Sequence, residues 1–138
     1  MISYVTVGAD DLPRAERFYS AFLPSLGYVL DISAEGLSYA IPVTADLPHE
    51  QVDLYVKPPF DGRAASAGNG TMVAFKVPSQ VQVRALHAAA LASGGQNEGA
   101  PGFRAAYGPH FYVGYLRDPQ GNKIALFSNN RDEPGRPD

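Results

Sequence analysis

The chain has 138 residues, 45% of them hydrophobic and 18% charged, which predicts one globular domain with a modest core and excludes wholesale disorder. A formal charge of -3 without any run of Lys or Arg gives no electrostatic footprint for nucleic acid or for an acidic membrane surface. There is no cysteine, and so no disulfide, thiolate ligand or thiol nucleophile; nor is there a charged-then-apolar opening or a membrane-length apolar run, so the cytoplasm is the expected location.

Taken in chain order, Ile2 to Val7 reads as a strand rich in β-branched and aromatic side chains. Asp10 and Asp11 offer an N-cap, with Pro13 in the first turn, where its missing N–H costs nothing. Leu12, Ala15, Phe18, Tyr19, Phe22 and Leu26 then recur at helical spacing, and Pro24 and Gly27 mark the helix end. Three extended segments follow, roughly Tyr28 to Ile32, Leu37 to Ile41 and Val52 to Lys57. Pro58 to Gly70 has no periodicity and reads as a loop between two half-domains, since neither half is large enough to bury a core alone.

The second half repeats the order. Thr71 to Val77 is strand-like, and Ser79 with Gln82 makes a capping box before the stripe Val83, Leu86, Ala90 and Leu91, which stops at Gly94 and Gly95. Tyr112 to Arg117 and Lys123 to Phe127 form a hairpin across Asp118-Pro119-Gln120-Gly121-Asn122. Setting Tyr4 against Met72 and Gly27 against Gly95 aligns the halves as two β-α-β-β-β units without sequence identity between them. Residues 129–138, with Pro134, Pro137 and several charges, read as a flexible C-terminal tail.

These segments carry a resemblance. Met1 to Val7, Asp11-Leu12, Arg17-Phe18-Tyr19, Leu26-Gly27-Tyr28, Gly70 to Phe75 and above all Arg117-Asp118-Pro119-Gln120-Gly121-Asn122-Lys123-Ile124 are similar to the vicinal-oxygen-chelate superfamily, the glyoxalase, bleomycin-resistance and dioxygenase proteins. The resemblance covers residues 1 to 128 as one domain, with module one at about 1–60 and module two at about 70–128. It implies an α+β fold in which two βαβββ modules form an open, U-shaped mixed sheet around a cleft, with the helices outside. It also implies a homodimer, with swapped and unswapped forms both open.

In metal-dependent members of that superfamily four inward-facing side chains hold a divalent ion that binds neighbouring substrate oxygens. Those positions fall here on Tyr4, Asp53 (or Tyr55 in a shifted register), Met72 and Ala125. Only Asp53 is an ordinary ligand for a hard cation, and Ala125 has no donor, so no metal or other cofactor is expected. True glyoxalase I activity is not expected either, because the Glu base of that reaction corresponds to Ala125. His110, just before a strand that walls the family's cleft, and Tyr4 are the candidate acid and base. Asp53, Tyr55, Met72, Phe103, Tyr107, Tyr112 and Tyr115 are the candidate ligand-binding residues, an apolar lining with a few polar handles. Arg104 and Arg117 stand ready for an anionic group. The expected function is binding of a small molecule in an aromatic-lined cleft, as in the bleomycin-resistance branch. The alternative is a lyase or isomerase of the same superfamily that works without metal or with an atypical one, such as a site of Asp53 with His110.

Overall fold

The computed structural model describes residues 1–138 and holds two modules of the same plan. In the first, β1 (Tyr4–Gly8), α1 (Leu12–Tyr19), β2 (Val29–Ser33), β3 (Gly36–Ala40) and β4 (Asp53–Lys57) give a four-stranded sheet in the order β1-β4-β3-β2. In the second, β5 (Met72–Lys76), α2 (Gln80–Ala92), β6 (Gln96–Phe103), β7 (Tyr112–Arg117) and β8 (Lys123–Ser128) give the order β5-β8-β7-β6. Each sheet is mixed: β1 with β4 and β5 with β8 are parallel, and the other pairs are antiparallel. The expected α+β architecture of two βαβββ modules is thus the observed one. The registers are also equivalent, with Tyr4 opposite Asp53 in one module and Met72 opposite Lys123 in the other. No helix is long and apolar enough to cross a membrane.

The first helix is shorter than its apolar stripe. Asp11 caps it by accepting from the Arg14 N–H, and it ends at Tyr19. A proline at position 24 would drive its ring into the carbonyl of Ser20, so the α-helix cannot continue past that residue. The chain instead makes a turn and a short 3-10 helix, Pro24–Leu26, closed by Gly27 at φ 95°, a left-handed conformation that favours glycine. In α2 only half of the expected capping box forms. The Ser79 hydroxyl accepts from the Gln82 N–H, but the Gln82 amide reaches Ser25 O instead of returning to Ser79.

One cluster of buried side chains serves both modules. Phe18, Tyr19 and Phe22 near α1 pack with Leu37, Tyr39, Leu54 and Val56 of the first sheet and with Phe75, Leu116, Ile124 and Leu126 of the second. The β7–β8 turn is tied to the first module by polar contacts as well. The Tyr19 hydroxyl donates to Asp118 Oδ2 at 2.6 Å, and the Asn122 amide donates to Gly8 O at 2.9 Å. Asp10 N–H donates to Gln120 Oε1, while the Asp10 carboxylate accepts from Ala65 N–H in the connecting loop. His87, on the α2 stripe, is only 4% exposed; its Nε2 lies 3.0 Å from Tyr115 O, and its ring packs on Gly114, where a Cβ would stand 2.8 Å from His87 Cδ2. Residues of the expected tail make contacts of their own. Glu133 accepts from the Gln80 N–H at the start of α2, and Arg136 donates to the carbonyls of Pro109, Arg104 and Tyr107.

Burial raises the pKa of Tyr19 well above the ordinary phenol value, and the neighbouring Asp118 charge raises it further. Burial also raises Tyr39, an effect partly offset by its hydrogen bond to Ser20, and burial followed by the Asp53 charge raises Tyr28. These phenols hold their protons more tightly folded than unfolded. Their contribution to stability is therefore complete below the unfolded value of about 10 and is lost as pH rises through the higher folded values. Urea midpoints are expected to be insensitive to these groups near neutrality and to fall above a pH of about 10. Tyr19→Phe should make that alkaline fall shallower; an unchanged slope would remove Tyr19 from the account.

Candidate functional site

Strand alternation gives each sheet two faces, one toward the helices and one away from them. On the outer face of the first sheet, half-buried Asp53, Tyr55 and Lys57 alternate with buried Leu54 and Val56. Tyr4 and Thr6 stand beside them through the register Tyr4 to Asp53 and Thr6 to Tyr55. The Tyr4 and Tyr55 rings meet edge-on with centroids 5.3 Å apart, and Tyr4 remains 61% exposed. A hollow of about 380 Å³ opens over them, lined by Tyr4, Thr6, Glu35, Ser38, Tyr55 and Lys57, all from the first module. Asp53 lines a second hollow of about 310 Å³ between β1, β4 and β5, together with Tyr28 and Met72.

The outer face of the second sheet carries Met72, Ala74 and Lys76 from β5, and Lys123, Ala125 and Phe127 from β8. Tyr115 of β7 lies opposite Ala125. The Arg104 guanidinium lies 5.3 Å and the Lys123 ammonium 5.2 Å from the Tyr115 ring centroid. Gly99 makes room for this arrangement, since a Cβ there would stand 2.9 Å from Tyr115 Cδ2 and 3.2 Å from Arg104 Nη2. Arg117, by contrast, is engaged by Glu98 and by Gly121 O.

At the far end of β8, a hollow of about 460 Å³ is lined by His110, Phe111, Phe127, Asn129 and Arg131. His110 Nδ1 is buried there without a hydrogen-bond partner. Tyr107 continues this wall, with Tyr107 to Phe111 and Phe111 to Phe127 centroids each 4.7 Å apart.

The structure thus brings Tyr4, Asp53 and Tyr55 together, and Met72 and Tyr115 onto one face of the other sheet. His110 lies in a hollow separate from that of Tyr4, with Tyr107 packed on its neighbour Phe111, so the two candidate acid–base residues are not neighbours. Tyr112 and Phe103 point to the helix side. Tyr112 is buried, its ring is 5.1 Å from that of Phe103, and its hydroxyl accepts from Arg84 of α2 at 3.0 Å. Phe103 ends β6. Lys57, Lys76 and Lys123 stand on the same strand faces as Tyr55, Met72 and Ala125, a phase that the spacing in the sequence carries.

Neither a family model nor a curated protein matches the chain. Solved structures do. A glyoxalase/bleomycin resistance protein from Albidiferax ferrireducens T118 is 35% identical, with a TM-score of 0.76 over 93% of this chain and 98% of that one. This chain belongs to the glyoxalase/bleomycin resistance protein superfamily. A glyoxalase-related enzyme from Fulvimarina pelagi has the same fold at 19% identity and a TM-score of 0.66, covering 93% of this chain and 87% of its own. So does a glyoxalase/bleomycin resistance protein/dioxygenase family enzyme from Burkholderia phytofirmans PsJN, at 16% identity and 0.63, covering 93% and 98%.

Within this superfamily the metal-ligand positions are a test of chemistry. The positions to which the resemblance assigns ligands hold Tyr4, Asp53 (or Tyr55 in a shifted register), Met72 and Ala125: at most one carboxylate, with phenol, thioether and methyl groups for the rest. No three His, Cys, Asp or Glu side chains of the chain come close enough to hold an ion between them. A site for a hard divalent cation needs several oxygen or imidazole donors in one shell. The donor set does not fit one.

Proposed function

We propose that this superfamily member is a cytoplasmic protein that binds a small organic molecule against the aromatic outer faces of its sheets, without a metal ion. What supports this reading is the edge-on Tyr4–Tyr55 pair at positions where the resemblance places a ligand shell, with Asp53 the one carboxylate and Met72 and Ala125 completing the set. The two rings offer stacking area, and Thr6, Glu35, Ser38 and Lys57 around them offer polar handles for a ligand's own polar groups.

A second copy of the chain is part of this proposal. The hollows over Tyr4 and beside His110 are each lined by one module alone, and the helix-side faces of both sheets are already spent on the shared core. A homodimer that sets module one of one copy against module two of another would join the outer faces into a cleft. Light scattering on the purified protein should give twice the chain mass.

The measurement for the central reading is metal content after incubation with Ni, Mn, Fe and Zn. We expect below about a tenth of an equivalent of each, since genuine sites hold their ions tightly. About one equivalent retained at a single site would overturn the metal-free reading.

A second reading, a lyase or isomerase with His110 as acid or base, is favoured by the buried, unpartnered His110 Nδ1. It predicts turnover that survives chelation and is lost in His110→Ala. Asp53 and His110 line different hollows, which gives an atypical metal site on those two residues no support within one chain.

A further inference from the structure

The chain is acidic overall, yet its lysines are not scattered. It has three, Lys57, Lys76 and Lys123, and all three stand on strands, in phase with the outward residues. None is within ion-pair distance of a carboxylate, because the ion pairs of the molecule are Arg63 with Asp61 and Arg117 with Glu98. The second sheet is the more polarised of the two. Its strands carry Lys76, Arg117 and Lys123, Arg104 follows β6 directly, and Glu98, already engaged by Arg117, is their one acid. Arg104 is held by three carbonyls, Ala100 O, Gly102 O and Phe103 O, which fix the guanidinium without neutralising it. Lys123 is half-buried, its ammonium makes no hydrogen bond, and it lies over Tyr115 on a residue in register with Met72.

From this we infer that the outer face of the second sheet recognises an anionic group, a carboxylate or a phosphate, on a small molecule with a flat apolar part. Lys123 is the charge partner, the Tyr115 ring is the floor, and Arg104 is the fixed second cation. The inference rests on the small-molecule reading above and adds to it the charge of the ligand. The Lys123 ammonium has no carboxylate partner of its own, and a charge-assisted contact is the strong form of hydrogen bond. The fixed guanidinium adds attraction that costs no side-chain ordering on binding.

The test is an amide-resolved NMR titration of the full chain with benzoate, phenyl phosphate, benzamide and benzylamine. Benzoate or phenyl phosphate should shift the Tyr115, Lys123 and Met72 amides saturably, and the tighter of the two tells carboxylate from phosphate. Lys123→Gln should weaken that binding about ten-fold, the scale of one charge-assisted contact. Lys123→Arg should retain it, and Arg63→Gln, in an exposed pair with Asp61, should leave it unchanged. If benzamide or benzylamine binds this face as tightly as benzoate and phenyl phosphate, or Lys123→Gln binds as the wild type does, the anion assignment fails while small-molecule binding stands. If none of the four probes shifts an outer-face amide, both readings fail together.

Discussion

Asp118→Ala is expected to destabilise the protein by roughly 3–5 kcal/mol, because several donors lose one acceptor at once. Asp118 is 3% exposed. Its Oδ1 accepts from the Gln120 and Asn122 N–H groups at 2.9 Å each, and its Oδ2 accepts from the Tyr19 hydroxyl at 2.6 Å and the Asn122 amide at 2.9 Å. Each donor left without a partner in a buried place costs about 1–3 kcal/mol, less where water can reach the turn. The same carboxylate shapes the β7–β8 turn and ties it to α1, so its removal also loosens Asn122, whose amide holds Gly8 O. Asp118→Asn keeps one acceptor oxygen and should fall between alanine and wild type. Urea denaturation followed by circular dichroism measures this; a loss below about 1 kcal/mol for alanine, within the range of a simple surface change, would show that the network is not what holds the turn.

Phe22→Ala should cost a similar amount, about 3–5 kcal/mol, for a different reason: a ring's worth of apolar burial is replaced by a cavity. Phe22 is fully buried, with ring centroids 5.5 Å from Phe18, 5.9 Å from Tyr19 and 5.8 Å from Phe75. Since domains of this kind are stable by about 5–15 kcal/mol, the variant gives up a large share of the whole. Phe75 belongs to the second module, so the cavity opens at the seam between the two. We expect one transition, shifted to lower urea, with amide signals from both modules lost together. Two separate transitions, with the second module surviving the first, would mean that the modules are stable on their own and that the shared core is a convenience of packing.

Much of this architecture was written in the chain's periodicity. Alternation in Asp53 to Lys57 and helical spacing in Val83, Leu86 and Ala90 are local signals, and the elements they specify formed where expected. β6 was hidden because Gly99, Pro101 and Gly102 are residues that sheets ordinarily avoid, and its register is irregular there. The side-chain phase of β7 was legible, since Tyr112, Gly114 and Leu116 must share a face. Which face was inward was not, because Val113 and Leu116 are equally apolar. That ambiguity grouped Tyr112 with Tyr115, when one packs under Arg84 and the other lies on the outer face. The end of α1 is less legible, because Phe22 and Leu26 continue the apolar stripe while Pro24 acts through the carbonyl four residues before it. Contacts of residues 129–138, such as Glu133 with Gln80 and Arg136 with Pro109, depend on distant segments meeting and leave no local trace. The separation of His110 from Tyr4 is of the same kind, a matter of how one module is set against the other.

The equivalent registers of the two modules have a consequence for direction. Position for position, Asp53 of β4 and Lys123 of β8 occupy the same place in the repeated plan, each in register with the first residue of its parallel neighbour. A duplicated scaffold with identical charges would greet either end of a bound molecule alike, and such a molecule could lie head-first or tail-first with equal ease. Opposite signs at the two matched places cancel that equivalence. If a molecule binds across the two halves as proposed, it meets a negative pole at Asp53 and a positive pole at Lys123, and the near-symmetric frame acquires a polarity that its backbone lacks.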